Sequence, residues 1–331
     1  INMPKMNGLE LLEMLQKNRI QETVIVVSTV AKEGAKETIK ALELGAFDFV
    51  TKPENFIEAK GENFKQRILD MLEVATASST KASVISSMPI TQSINTKATT
   101  MRTFVTAKNE RSTEVSGRTK VQPAMTVRMS DHNLYKKDKV NRIVALACST
   151  GGPKSLQQVI PYLPADMDAG MVVVQHMPAG FTKSLAMRLN EISKVKVKEA
   201  EDGDIVEKGT VYIAPGGRHM RLTRAGSTAK VVLSDEPPVD ALRPCANVMY
   251  ESLKDSPYDE IVCVVLTGMG ADGTKGIKLL KEKKKLHVIS QDEASSIVYG
   301  MPRSVAEAGL TDEVKPLEEI ADAITRNTGV R

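Results

Sequence analysis

Ile143-Val-Ala-Leu-Ala-Cys-Ser-Thr-Gly-Gly-Pro153 is an apolar run that ends in two hydroxyl residues, two glycines and a proline. An uninterrupted apolar run is the pattern of a strand buried on both faces of a parallel sheet. The glycines predict a tight turn. Proline suits the first turn of a helix, where its missing N–H would have no partner anyway. The segment therefore predicts strand, turn and helix, with Ser149 and Thr150 at the strand's carboxyl end. Ligands of open α/β sheets bind at such ends. Backbone N–H groups there face outward and favour negative charge. Taken alone, the segment permits either a phosphate-binding turn or a nucleophilic serine with oxyanion donors beside it.

The same alternation continues downstream. Further strands are predicted at 171–175, 210–214, 261–267 and 287–291, and helices at 153–163, 181–191, 245–252, 273–282 and 302–307. Residues 218–222 and 230–234 flank a glycine-containing turn and predict a hairpin. The fold class is α/β: a doubly wound, mostly parallel sheet with a short antiparallel hairpin, over residues 140–331. Upstream, residues 8–18, 24–28, 32–44, 47–50 and 62–77 alternate helix and strand in the same way, but so short a piece cannot close a core by itself. Residues 78–139 are rich in Ser, Thr and Lys with no apolar period, and predict a flexible polar linker.

Composition narrows the function. The chain carries a formal charge of +4, but residues 77–139 hold eleven Lys/Arg against four Asp/Glu, so the rest is slightly acidic. With no Trp and six each of Tyr and Phe, no stacking platform accompanies that charge, and nucleic-acid binding is not expected. No apolar run is long enough to span a membrane. The three cysteines have no CxxC spacing, which fits a reducing cytoplasm and gives no structural zinc pattern.

Three predicted strands end in reactive side chains: Ser149, His176 after Met171–Gln175, and Asp272 in the Gly-rich stretch Leu266–Gly273. A Ser–His–Asp set performs acyl transfer because histidine deprotonates serine and the carboxylate orients and steadies the imidazole. Among the four histidines, His219 is the second choice, and His132 and His287 read as linker and strand residues. Asp202, Asp204 and Asp292 are rival acids. Cys148 points to the opposite side of its strand from Ser149 and reads as a small buried residue. There is no G-x-S-x-G elbow and no G-x-G-x-x-G, against an α/β-hydrolase or an ordinary dinucleotide fold.

Two resemblances follow from the motifs. Met3-Pro4-x-Met6-Asn7-Gly8, Ser28-Thr29 and Ala46-x-Asp48-Phe49-Val50-x-Lys52-Pro53 resemble the C-terminal half of a response-regulator receiver domain, which implies a partial flavodoxin-like unit over residues 1–77. On that likeness Ser28 is the hydroxyl switch residue, Phe49 the aromatic switch and Lys52 the phosphoryl-pairing lysine. The phosphoacceptor aspartate and the acidic pair that holds Mg²⁺ would precede Ile1. The stretches 147–153, 175–181, 199–203, 212–220, 266–273 and 299–303 resemble the chemotaxis protein-glutamate methylesterase family, CheB. That resemblance implies Ser149 as nucleophile, His176 as base and acid, and Asp272 as orienting carboxylate. Thr150 and Met269 lie where their amides can form an oxyanion hole. It further implies hydrolysis of glutamate methyl esters and deamidation of glutamines on chemoreceptors, no cofactor for catalysis, and a chemotaxis histidine kinase as phosphodonor.

Overall fold

The computed structural model describes residues 1–29, 32–53, 62–86 and 140–331. The N-terminal part contains α1 (Gly8–Lys17), β1 (Ile25–Ser28), α2 (Lys32–Glu43), β2 (Asp48–Thr51) and α3 (Glu62–Ser86). Asn7 starts α1 by accepting the Leu9 and Glu10 N–H groups at 2.9 Å, while Glu10 accepts the Asn7 N–H. This reciprocal cap satisfies donors that the first helical turn leaves open. β1 and β2 pair in parallel, Ile25 to Asp48 through Ser28 to Thr51. The helix expected to end at 77 continues to Ser86, so the first residues of the expected linker are helical; its remainder lies outside the described residues.

The second part is built on β3 (Arg142–Cys148), α4 (Gly152–Val159), β4 (Gly170–Gln175), α5 (Phe181–Ile192), β5 (Lys196–Glu199) and β6 (Thr210–Ile213). It continues through β7 (His219–Ala225), β8 (Thr228–Ser234), α6 (Ala246–Ser252), β9 (Glu260–Val265), α7 (Thr274–Lys281), β10 (Lys285–Gln291), α8 (Met301–Glu307), β11 (Glu313–Lys315) and α9 (Ile320–Thr328). Seven strands form one sheet in the order β11-β10-β9-β3-β4-β6-β5. Every pairing in it is parallel. The predicted hairpin is β7–β8, a separate antiparallel pair.

Alternate residues of β3 show why the sheet needs cover on both sides. Val144, Leu146 and Cys148 pack with Leu156 of α4, Phe181 and Leu185 of α5 and Ile320 of α9. Ile143, Ala145 and Ala147 pack on the other face with Ala246 of α6, Ile277 of α7 and Val305 of α8. Successive strand residues face opposite ways, so an unbroken apolar strand fills two cores. The expected helix over 153–163 is interrupted: α4 stops at Val159 and a 3₁₀ turn takes Ile160–Tyr162. Pro161 has no N–H to give, so the i→i−4 hydrogen-bond ladder of α4 cannot continue through it.

The two parts share a core. Leu12, Val26, Ile39 and Leu42 lie in the same apolar cluster as Leu156, Phe181 and Leu185. Phe49 stacks on Phe181 with ring centres 4.7 Å apart, and Arg188 on α5 pairs with Glu43 on α2 at 2.5 Å. The N-terminal piece thus borrows the apolar surface that it lacks alone.

Candidate active site

β3 is the middle of three strands, with β4 on one side and β9 on the other. The chain moves from β3 to β4 in one direction and later returns to β9 in the other, so a crevice opens at the carboxyl ends between β3 and β9. Cys148 pairs with Gln175, which sets Ser149 beside His176 one residue further on. The His176 N–H donates to the Cys148 carbonyl at 3.1 Å. The turn after β9 approaches from the other side: Ser149 N–H donates to Thr267 O at 3.0 Å, and the Thr267 hydroxyl donates to Thr150 O at 3.0 Å. A Cβ on Gly268 would fall 2.7 Å from the Ser149 Cβ, so only glycine allows this approach.

His176 Nε2 meets Asp272 Oδ2 at 2.8 Å, with both side chains nearly buried. This leaves Nδ1 as the nitrogen available to serine, the reverse of the assignment in chymotrypsin-like triads. Asp272 is held from below by three more donors. These are the N–H groups of Ala246 (2.6 Å) and Asn247 (2.9 Å) and the Cys245 thiol (3.2 Å). Burial alone would raise the carboxyl pKa, but the histidine contact and the backbone donors outweigh it and hold the group below its ordinary value of 3.8. A permanently ionised acceptor is what an imidazole that must become positive requires. The Cys245 thiol is pushed up to about 12 by burial and by the Asp272 charge, so it remains a donor.

Sequence reading missed this cradle. Cys245 to Asn247 lie far from Asp272 in sequence, and nothing local marks them. Asn247 also accepts the Gly273 and Gly276 N–H groups through Oδ1 at 3.0 and 2.8 Å, which fixes the start of α7. Gln175 was missed as well. Its amide donates to the carbonyls of Ser149 (3.0 Å) and His176 (3.2 Å), and its oxygen accepts the Cys148 thiol at 3.0 Å. A Cβ on Gly152 would lie 2.0 Å from that oxygen, so the second glycine of the turn is required by Gln175.

The rival residues are placed elsewhere. Cys148 is fully buried, and burial raises its thiol pKa well above normal. His219 is buried with Nε2 at 3.1 Å from Pro237 O, and His287 pairs with Glu313 at 2.7 Å. Asp202 accepts the Leu233 N–H, Asp204 pairs with Lys198, and Asp292 accepts from Ser295. His132 lies outside the described residues. Thr150 and Met269 line the same cavity as Ser149 and His176.

A cavity of about 470 Å³ opens above Ser149, Thr150, His176 and Met269. Its far wall is Asp48, Phe49, Val50 and Met71 of the N-terminal part. Asp48 Oδ2 accepts the Gly151 N–H at 3.3 Å, and burial raises its carboxyl to about 6 against hydrogen bonds from Phe49 and Gly151. Ser28 is buried and donates to Gly34 O at 3.1 Å, while Lys52 is exposed. Among the described residues no group of three or more His, Cys, Asp or Glu side chains could hold a metal ion.

A serine beside a carboxylate-held histidine, at the switch point of a parallel sheet, defines a candidate nucleophilic hydrolase of the α/β class. Comparison with known proteins carries this to a family. The CheB methylesterase model matches residues 144–324, and the response regulator receiver domain model matches residues 1–60. A Pyrococcus horikoshii protein named protein-glutamate methylesterase/protein-glutamine glutaminase is 37% identical over 98% of this chain and 78% of its own. A Symbiobacterium thermophilum protein of the same name is 39% identical over 99% and 83%. The crystal structure of the Thermotoga maritima CheB methylesterase catalytic domain is 42% identical with a TM-score of 0.54, covering 56% of this chain and 98% of that one. The chain belongs to the CheB methylesterase family.

Proposed function

We propose that the chain hydrolyses glutamate methyl esters, and deamidates glutamines, on chemoreceptor proteins through an acyl-enzyme on Ser149. The observation that carries the reading is the His176–Asp272 pair fixed one strand from Ser149. Ser149 Oγ attacks the side-chain carbonyl while His176 Nδ1 takes its proton. Negative charge then develops on the carbonyl oxygen, and in this reading the amides of Thr150 and Met269, which line the same cavity as Ser149, are its hydrogen-bond donors. One such donor is typically worth about 3 kcal/mol in the transition state. Collapse expels methanol or ammonia with the proton held by His176. Water, deprotonated by the same nitrogen, hydrolyses the acyl-enzyme and restores Ser149.

The catalytic chemistry draws on side chains and amides of this chain alone. The receptor-like substrate, a chemotaxis histidine kinase as phosphodonor to a complete receiver, and a cytoplasmic setting belong to the same reading. No helix among the described residues is long and apolar enough to cross a membrane.

The test is methanol release from methylated chemoreceptor membranes by the parent, Ser149→Ala and Cys148→Ala, each also as residues 140–331. Activity lost only in Ser149→Ala is the expected result. Loss in Cys148→Ala with retention in Ser149→Ala overturns the assignment of the nucleophile, and inactivity of both parent forms overturns the esterase reading.

A further inference from the structure

The stretch Tyr299–Arg303 marks the family in sequence but has no place in the chemistry above. It lines a second depression, about 600 Å³, between the Met269–Gly270 turn and α8, with Val298, Tyr299, Arg303, Ala306 and Glu307 among its walls. Met269 and Gly270 border this groove and the catalytic cavity alike, so a two-residue ridge separates them. The ridge is low: nothing lies within 4 Å of where a Gly270 side chain would begin, and Met269 is 54% exposed.

The groove is rigidly tied to the catalytic turn. Gly268 N–H donates to Val298 O at 3.0 Å, and Gly268 O accepts the Gly300 and Met301 N–H groups at 3.1 and 2.8 Å. Whatever lies in it is held in register with the Met269 amide. A glutamyl ester side chain that reaches Ser149 leaves its own main chain at the cavity mouth, and that chain must continue across the protein surface. The cavity is walled on one side by the N-terminal part, whereas the groove is lined by the catalytic part alone.

We propose, building on the esterase reading, that this groove seats the polypeptide segment flanking the reacting residue, and that Arg303 and Ala306 determine the preference for a protein over a small ester. The segment meets Met269 and Val298 with small or apolar side chains and offers Arg303 an oxygen acceptor. Arg303 is suited to that exchange. Its partner Glu307, at 2.7 Å, is as exposed as Arg303 itself. An exposed pair of this kind contributes little and is readily traded for another acceptor. Ala306, on the same helix, leaves the room that a larger side chain would fill.

The experiment compares two substrates, a methylated chemoreceptor protein and p-nitrophenyl acetate, for the full chain and for R303E, R303K and A306F. The expected result for R303E and A306F is a fall of about tenfold or more in kcat/KM on the protein, carried by KM, as for loss of one charged hydrogen bond. Turnover of the small ester stays within twofold, and R303K lies between. Equal losses on both substrates would make the groove merely structural and overturn the proposal. Unchanged protein turnover in R303E and A306F would overturn it too. Silence of the parent on both substrates would instead overturn the esterase reading, and this inference with it.

Discussion

The seven-stranded sheet and the N-terminal segment contain the same kinds of elements, yet their cores are closed differently. β3, β4 and β9 are buried along almost their whole length and covered by helices of their own domain on both faces. The segment has one two-stranded parallel pair, and its apolar residues finish their packing on α4 and α5. Both regions carry recognisable motifs, so motif content says little about which can stand by itself. What decides is whether the apolar surface of each strand finds cover within its own stretch of chain.

The most drastic way to break this comparison is to separate the parts. Residues 140–331 are expected to unfold cooperatively with denaturant, and residues 1–86 to show no cooperative transition, as followed by circular dichroism. Next in size is Asp272→Asn. Geometry aside, the analogous change in a serine protease lowers kcat by about 10⁴-fold. A loss of that order is expected here in methanol release, because the new amide nitrogen would face either the imidazole or a backbone donor. Phe181→Ala acts on both regions at once. It empties a fully buried site and removes the ring on which Phe49 stacks. A loss of about 3–5 kcal/mol in denaturant stability is expected.

A smaller effect distinguishes the regions by pH. Asp48 has its carboxyl raised to about 6 from 3.8, so the folded protein holds a proton that the unfolded chain releases across that window. Stability from this group is present at acid pH and declines as pH rises from about 4 to 6. The decline is on the order of 3 kcal/mol at most. Asp272 has the opposite sign: its lowered pKa contributes stability at neutral pH that is lost as pH falls below its ordinary value. Asp48→Asn is therefore expected to raise Tm at pH 7.5 relative to Tm at pH 4.5, by scanning calorimetry. Smallest of all, Arg188→Ala is expected to cost under about 1 kcal/mol, since its pair with Glu43 is partly exposed.

Much of the catalytic architecture was legible in sequence because it rests on local patterns. The apolar runs of β3, β4, β9 and β10 are strands where expected, and each proposed site residue follows such a run. Lys196–Glu199 and Glu313–Lys315 were missed because they are edge strands: three of the four residues of the first are polar, and the second is a three-residue edge that buries no side chain fully. The helix Ile320–Thr328 was missed although Ile320, Ala321, Ala323 and Ile324 mark its buried face. The support beneath Asp272 was illegible for another reason. It consists of backbone donors and a thiol brought together by the return of the chain from α6, and such contacts leave no periodic trace.

The spacing of Ser149, His176 and Asp272 along the chain has a kinetic meaning. No contiguous stretch holds the site; it exists only after the strand that begins at Glu260 has inserted next to the one that begins at Arg142. Pairings so far apart in sequence form late, since the loop-closure entropy must be met first. During refolding, recovery of turnover should accordingly lag behind the return of helical signal. Enzymatic activity then serves as a clock for the last long-range event in assembly.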